Sequence, residues 1–147
     1  MATARPRLDD PEWDARVAAH RARRPPGWRT LEDPDLPALL RAAEPGGPAL
    51  LVDDLGTWLT GILDDAGAWS DQGPGAEVAA RLTELVHAVA AARGRVVLVS
   101  AEVGLGVVPA TRAGRVFRDE LGALNTRLAG VCDEVLLLVA GLPLRLK

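Results

Sequence analysis

The chain has 147 residues, of which 48% are apolar and 25% charged, a composition typical of one globular domain rather than a disordered chain. Its formal net charge of -3 disfavours nucleic-acid binding, while one cysteine and two histidines exclude a disulfide framework and a structural zinc site. No apolar run reaches the roughly 18 residues of a membrane span and the start lacks a secretion signal, so we expect a cytoplasmic protein.

The first predicted element is a helix near the amino terminus. Asp9 or Asp10 can cap it, because a carboxylate at that place accepts hydrogen bonds from the first turn. Pro11 suits its first turn, and the helix is expected to run to about Arg24, before the Pro-Pro-Gly run that follows. Its inward side is expected to carry Trp13 and Val17.

Three short apolar runs predict buried strands. They are rich in valine and leucine and lack polar alternation, which is typical of strands that are covered on both faces. The runs are residues 49–52, 95–100 and 134–140.

Two amphipathic helices precede the second and third runs. The first covers residues 76–93 and ends before Gly94, and the second leads into the third strand. The apolar stripes consist of Val78, Leu82, Leu85, Val86 and Val89 in the first helix, and of Val116, Phe117, Leu121, Leu124, Leu128 and Val131 in the second. The alternation predicts a single α/β domain over residues 1–147, with a largely parallel sheet flanked by helices.

A row of basic side chains surrounds one histidine of the first helix. Arg16, His20 and Arg24 recur every four residues, with Arg21 and Arg23 beside them. Their guanidinium groups would attract phosphate and favour the neutral imidazole, which is the form that can attack phosphorus. From spacing alone, a solvated basic helix face explains the same residues.

Carboxylates follow the first two predicted strands. Asp53 and Asp54 end the first, where nucleotide enzymes place an acid that holds Mg²⁺ or orients a nucleotide. Glu102 follows the second, and Gly104 and Gly106 would let backbone approach a ligand closely. An acidic turn and a tight surface loop are the alternative interpretations of these two segments.

The remaining candidate residues are expected to be structural. His87 lies in the predicted helix 76–93 without acidic or cysteine partners, and Cys132 lies at a helix–strand junction. The tryptophans expected to pack rather than to stack on bases are Trp28, Trp58 and Trp69.

Lysine is almost absent from the chain. The chain has 17 basic residues, and all are arginine except Lys147. A phosphate loop of the type G-x-x-x-x-G-K-[ST] needs a lysine against the outer phosphates of a nucleotide. These 147 residues therefore contain no such loop.

Several blocks, in order along the chain, carry a resemblance to one family. They are ATA at residues 2–4, RVAAHRARRPPGW at 16–28, TLE ending at 32, LLVDDLGTWL at 50–59, VVLVSAEVGLGVVP at 96–109, FRDELGALNTRLA at 117–129 and LLLVAGLPLRLK at 136–147. Together they resemble the bifunctional adenosylcobinamide kinase/adenosylcobinamide-phosphate guanylyltransferases of cobalamin biosynthesis. The resemblance covers essentially the whole chain and implies a RecA-like phosphate-loop fold and a homotrimer.

The resemblance also implies a two-step reaction. The kinase step, with ATP or GTP, phosphorylates the aminopropanol arm of adenosylcobinamide. A histidine then attacks the α-phosphate of GTP, most simply with Mg²⁺ present, and passes GMP to adenosylcobinamide phosphate. By block matching, the guanylylated histidine of the family falls on His20. The implied nucleotide contacts are Thr3, Ala4, Arg5, Arg21, Ala22, Arg23, Arg24, Glu32 and Asp53.

The family has a first strand, a phosphate loop and a helix ahead of the ATA block, and the 147 residues lack them. The expected explanation is a start placed too far downstream, with an internal GTG codon read as Met1. The alternative, from another functional class, is a non-catalytic remnant that binds nucleotide or corrinoid, or that serves as a partner subunit.

Overall fold

The structure is a computed structural model that describes residues 1–3, 10–32, 35–70 and 73–147. Two of the expected nucleotide contacts, Ala4 and Arg5, lie outside the described residues. The helices are α1 (Pro11–Ala22), α2 (Leu36–Arg41), α3 (Leu55–Asp65), α4 (Ala76–Ala91) and α5 (Arg112–Val131), with a 3₁₀ turn at Val103–Leu105. The strands are β1 (Leu50–Val52), β2 (Val96–Leu98), β3 (Leu136–Val139) and β4 (Leu142–Arg145).

A small parallel sheet is formed by β1 and β2. Leu50 lies opposite Val96, and Val52 lies opposite Leu98. The connection between the two strands contains α3 and α4, as a parallel crossover requires. A parallel bridge between Ala2 and Asp53 extends the edge beyond β1. The predicted α/β fold with a parallel sheet and helices is confirmed at this level.

The predicted cover on both faces of the strands is wrong for β2. Val96 and Leu98 are half-buried, whereas the side chain of Val97 is 45% exposed and that of Val99 is 40% exposed. In this short strand the side chains alternate between the core and solvent, because successive residues point to opposite faces.

The prediction of a third buried parallel strand is also wrong. Residues of β3 pair antiparallel with β4, as in Leu137 opposite Leu144, and Leu138 is 68% exposed. Ala140 and Gly141 both have positive φ, 51° and 78°, as a tight hairpin turn between twisted strands requires. The continuous apolar run therefore belongs to one half of a hairpin, and its partner strand is an element that the pattern did not predict.

The core is formed mainly by helices packed on β1. Helix α3, which was not predicted, contributes Leu55, Leu59 and Leu63, all at most 1% exposed. Asp54 caps this helix by accepting a hydrogen bond from the Thr57 amide at 2.7 Å. Burial of each such leucine contributes about 1.5–3 kcal/mol.

The predicted stripes of α4 and α5 largely face this core. Val78, Leu82, Leu85 and Val86 are buried and Val89 packs against them. In α5, Leu121, Leu124 and Leu128 are buried, with Val116 and Phe117 packed alongside. Val131 departs from the prediction, because at the last turn of α5 it is 38% exposed.

Helix α1 lies on the surface. Asp10 caps it by accepting a hydrogen bond from the Trp13 amide at 2.9 Å, as predicted for one of the two aspartates. Trp13 and Val17 are half-buried and no residue of α1 is buried. The helix ends at Ala22, two residues before the predicted end. None of the helices within the described ranges is long and apolar enough to cross a membrane.

Candidate functional site

The segment that follows α1 turns back along the last turn of the helix. The Trp28 amide donates a hydrogen bond to the Pro25 carbonyl at 3.0 Å, which closes a tight turn. Between this segment and the helix lies an open cavity of about 510 Å³, within the size range of small-molecule sites. Its lining consists of Arg21, Arg24, Pro25, Pro26, Trp28, Thr30 and Glu32.

Two side-chain contacts hold the returning segment against the helix end. Arg21 forms an ion pair with Glu32, and Arg24 donates a hydrogen bond to the Thr30 hydroxyl at 2.8 Å. Both contacts are exposed, and exposed ion pairs contribute only about 0–1 kcal/mol. They connect the returning segment to the end of α1 and contribute little to stability.

His20 lies in the last turn of α1, with an exposed side chain. Arg21, the next residue, lines the cavity. The predicted row on one helix face is only partly correct, because Arg24 lies beyond the helix end at Ala22. Arg16, one turn earlier, pairs with Glu12 at 3.4 Å.

The two aspartates after β1 have different surroundings. The Asp54 carboxylate is the cap of α3 and also contacts the Thr57 hydroxyl at 3.3 Å. The backbone of Asp53 is held by the Met1 carbonyl at 3.0 Å and the Thr3 amide at 3.2 Å. The half-buried Asp53 side chain is thus the better candidate for contact with a ligand.

Thr3, an expected nucleotide contact, has a structural role in this arrangement. Its hydroxyl contacts the Asp54 amide at 2.9 Å and the Asp54 carbonyl at 2.6 Å. It also forms a hydrogen bond with the Thr57 hydroxyl. The Thr3 side chain therefore ties the first residues to the start of α3.

Backbone contacts join the cavity segment to the sheet edge. The Ala2 amide donates a hydrogen bond to the Leu31 carbonyl at 2.9 Å, next to Glu32, and Ala2 also bridges to Asp53. Burial lowers the pKa of the Met1 amino group, Arg24 lowers it further, and Asp53 raises it. Arg24, Glu32 and Asp53 are therefore brought to one region, although they are distant in sequence.

The loop after β2 matches its alternative interpretation as a tight surface loop. Glu102 accepts a hydrogen bond from the Gly104 amide at 3.0 Å and so caps the 3₁₀ turn. A Cβ at position 104 would lie 2.8 Å from the Glu102 Oε1. The turn itself thus accounts for both the carboxylate and this glycine.

Lys147, the single lysine, binds the end of α5. Its Nζ donates hydrogen bonds to the carbonyls of Ala129 at 3.0 Å, Gly130 at 3.2 Å and Cys132 at 2.7 Å. These carbonyls are at the negative end of the helix dipole, where a cation is favourable. The lysine therefore has a structural role.

Sequence reasoning missed the place of Trp28. The prediction that it packs is wrong, because its side chain is 54% exposed and lines the cavity. Trp58, by contrast, is 5% exposed in the core, and the half-buried Trp69 donates from Nε1 to Asp64 at 2.6 Å. The signal was available, because Trp28 directly follows the Pro-Pro-Gly run of residues 25–27, which is typical of a surface turn.

Within the ranges that the structure describes, no cluster of three or more His, Cys, Asp or Glu residues could hold a metal ion. Mg²⁺ is usually bound by one or two carboxylates together with substrate phosphates. Asp53 offers one such carboxylate at the sheet edge, which fits an ion that arrives with a nucleotide.

The fold and the site define an α/β protein with an open cavity at the end of the helix that carries His20. The lining has two arginines, of which Arg21 is paired with Glu32, and arginines suit phosphate groups. Comparison with known proteins identifies the family. Residues 1–146 match the family described as cobinamide kinase / cobinamide phosphate guanyltransferase, and the chain belongs to it. The resemblance inferred from the sequence blocks is confirmed, and the family is one of enzymes of cobalamin biosynthesis.

Individual relatives agree with this assignment. The chain is 43% identical over 141 residues to the bifunctional adenosylcobalamin biosynthesis protein CobP of Pseudomonas aeruginosa, covering 94% of this chain and 76% of the relative. It is 36% identical to CobU of Escherichia coli and 35% identical to CobU of Salmonella typhimurium. Each of these two matches covers 95% of this chain and 81% of the relative.

Proposed function

We propose that this chain transfers GMP from GTP to adenosylcobinamide phosphate through a guanylylated His20, as a cytoplasmic enzyme of cobalamin biosynthesis. The observation that carries the proposal is the cavity that opens beside the last turn of α1. Arg21 and Arg24 line it, and His20, which precedes Arg21 on the helix, is outside the lining itself. The proposal places the phosphate chain of GTP on these two arginines, with its α-phosphate reaching the imidazole.

The proposed reaction has two displacements at the same phosphorus. The neutral imidazole of His20 attacks the α-phosphorus of GTP, a nitrogen–phosphorus bond forms, and the bond to the bridging oxygen of the β-phosphate breaks as pyrophosphate leaves. A phosphate oxygen of adenosylcobinamide phosphate then attacks the same phosphorus. The nitrogen–phosphorus bond breaks, which releases adenosylcobinamide-GDP and restores His20.

The neighbouring side chains supply charge. The guanidinium groups of Arg21 and Arg24 would offset the negative charge of the phosphates, and guanidinium forks suit phosphate oxygens. Asp53 would bind Mg²⁺ that is carried by the triphosphate, and Glu32 would contact the nucleotide. The remaining proposed nucleotide contacts are Thr3, Ala4, Arg5, Ala22 and Arg23.

The phosphorylation step of the family, with ATP or GTP as donor, is not assigned to any side chain of these 147 residues. A phosphate loop requires a lysine, and Lys147 binds carbonyls of α5. The proposed guanylyl transfer assigns its chemistry to His20 and the neighbouring arginines and places no lysine at the phosphates. A homotrimer is proposed as the assembly, with residues 1–147 forming one domain in each copy.

The test is covalent labelling with GTP that carries the radiolabel at its α-phosphate. The label is expected to remain on the protein in alkali, to be released by acid, and to be absent from His20→Ala. The matched control is His87→Ala, because His87 is an exposed histidine on α4, away from the cavity lining. Adenosylcobinamide phosphate should then remove the label from the wild-type protein.

Two results would reject this function. Equal labelling of His20→Ala and the wild type would exclude His20 as the acceptor. An unlabelled wild-type chain with intact circular dichroism would favour the second candidate, a non-catalytic protein that binds nucleotide or corrinoid. Binding of GTP without labelling would identify that candidate directly.

A further inference from the structure

Trp28 is a large apolar side chain in a cavity that has both charged and apolar lining residues. It is 54% exposed, and the cavity also contains two arginines, a glutamate, a threonine and two prolines. The exposed part of this side chain forgoes the free energy that its burial would provide. An aromatic face of this kind is suited to stack on a flat ligand.

We propose that Trp28 is the stacking platform for the guanine base of GTP. The inference rests on the proposed function, because it deepens the use of the same cavity. A nucleotide joins a flat aromatic base to a chain of negative charges, and the cavity pairs Trp28 with Arg21 and Arg24. In this arrangement the flat base would contact Trp28, and the phosphates would contact the two arginines.

The position of Trp28 is fixed by backbone rather than by side-chain packing. Its amide is bonded to the Pro25 carbonyl at 3.0 Å, and Pro26 occupies the second place of that turn, where its fixed φ is favourable. Arg24, before the turn, also donates a hydrogen bond to the hydroxyl of Thr30, after the turn, at 2.8 Å. The backbone of Trp28 is thus held in place, which keeps its side chain at the cavity.

If Trp28 stacks on the base, its replacement should lower the affinity for ligands that contain the base and not for ligands that contain only phosphates. Replacement of an aromatic platform by alanine costs about 1–3 kcal/mol per stacked base. Trp28→Ala should therefore weaken GTP binding by about 5- to 150-fold. It should leave the binding of inorganic tripolyphosphate unchanged, and Trp28→Phe should restore most of the affinity for GTP.

The experiment measures binding of GTP and of inorganic tripolyphosphate, by calorimetry, to the full chain and to three variants. The variants are Trp28→Ala, Trp28→Phe and, as the matched control, Trp69→Phe. Trp69 is a partly exposed tryptophan outside the cavity lining, so its replacement should not change either affinity. Circular dichroism establishes that each variant is folded.

Two results would overturn the stacking role. They are an unchanged GTP affinity in Trp28→Ala and an equal loss of affinity for GTP and tripolyphosphate. Labelling of His20 is measured separately on the wild-type chain. Labelling with no effect of Trp28→Ala rejects the stacking role alone, whereas Trp28-dependent GTP binding without labelling rejects the proposed function alone.

Discussion

At the scale of single residues, neighbours in sequence have different roles. Asp53 and Asp54 both follow β1, and the sequence pattern treats them alike. Asp54 caps α3, while Asp53 is fixed through its backbone and keeps a half-buried side chain at the sheet edge. The two roles differ because the chain turns into α3 directly after Asp54, which places Asp54 at the helix cap and leaves Asp53 at the edge of the sheet.

This difference leads to a prediction for the two aspartates. Asp54→Ala removes the cap of α3 and should lower the free energy of unfolding by about 1 kcal/mol, the usual effect of losing such a cap. Asp53→Asn should change that free energy little and should instead slow the labelling by GTP. Urea denaturation and labelling rates measure the two effects. The reverse pattern would show that the roles are exchanged.

A second prediction at this scale concerns Glu120 of α5. Partial burial raises the pKa of its carboxyl group, and the neighbouring Asp119 raises it further. A raised pKa in the folded state stabilises the protein at low pH, and this contribution is lost as the pH rises through the folded pKa. Glu120→Gln should therefore raise the Tm relative to the wild type at pH 7 and not at pH 3.5.

Thermal unfolding followed by circular dichroism at both pH values is the measurement. Asp119→Asn should give a smaller increase over the same pH range, because Asp119 is the lesser of the two causes. A Glu120→Gln advantage that is equal at both pH values would contradict the assignment of the effect to ionisation.

At the scale of elements, helical periodicity in the sequence correctly predicted the amphipathic helix α4. The stripe of α4 recurs at helical spacing, and its residues are buried as expected. Helix α3 also has an apolar stripe at helical spacing, formed by Leu55, Trp58, Leu59, Ile62 and Leu63. Its signal was therefore present in the sequence, although the helix was not predicted. The β3–β4 hairpin depends on positive φ at Ala140 and Gly141. An Ala-Gly pair is not a typical sequence signal for such a turn.

The connection between α2 and β1 gives a prediction at this scale. Gly94 follows α4, and its amide donates to the Ala43 carbonyl at 3.0 Å. A Cβ at position 94 would lie 2.9 Å from the backbone oxygen of Glu44. Gly94→Ala should therefore force the two segments apart and destabilise the fold, by about 1–3 kcal/mol as for other overpacked sites.

The control is Gly122→Ala within α5, where an added Cβ meets nothing within 4 Å. Alanine is favoured over glycine in a helix interior by about 1 kcal/mol, so this variant should be more stable than the wild type. Denaturation midpoints in urea compare the two substitutions. An unchanged denaturation midpoint in Gly94→Ala would show that the α2–β1 connection can move to accommodate the added methyl group.

At the scale of the whole molecule, apolar side chains are unevenly placed. The exposed ones on or directly after β2, β3 and β4 are Val97, Val99, Leu136, Leu138, Val139, Leu142, Leu144 and Leu146. Each of the two sheets has two strands among the described residues, so strand edges remain unpaired there. Apolar patches and open edges of this kind favour association between protein surfaces.

The proposed homotrimer makes this surface testable. Leu138, 68% exposed on β3, should lie near a contact between copies, so Leu138→Glu should shift the protein toward monomer in light scattering coupled to size-exclusion chromatography. Leu105 is 77% exposed but lies in the 3₁₀ turn, outside the hairpin, and Leu105→Glu should leave the mass unchanged. Because a charge at an already exposed position costs little in the monomer, both variants should unfold at similar temperatures. A trimer that persists in Leu138→Glu would place the contact elsewhere.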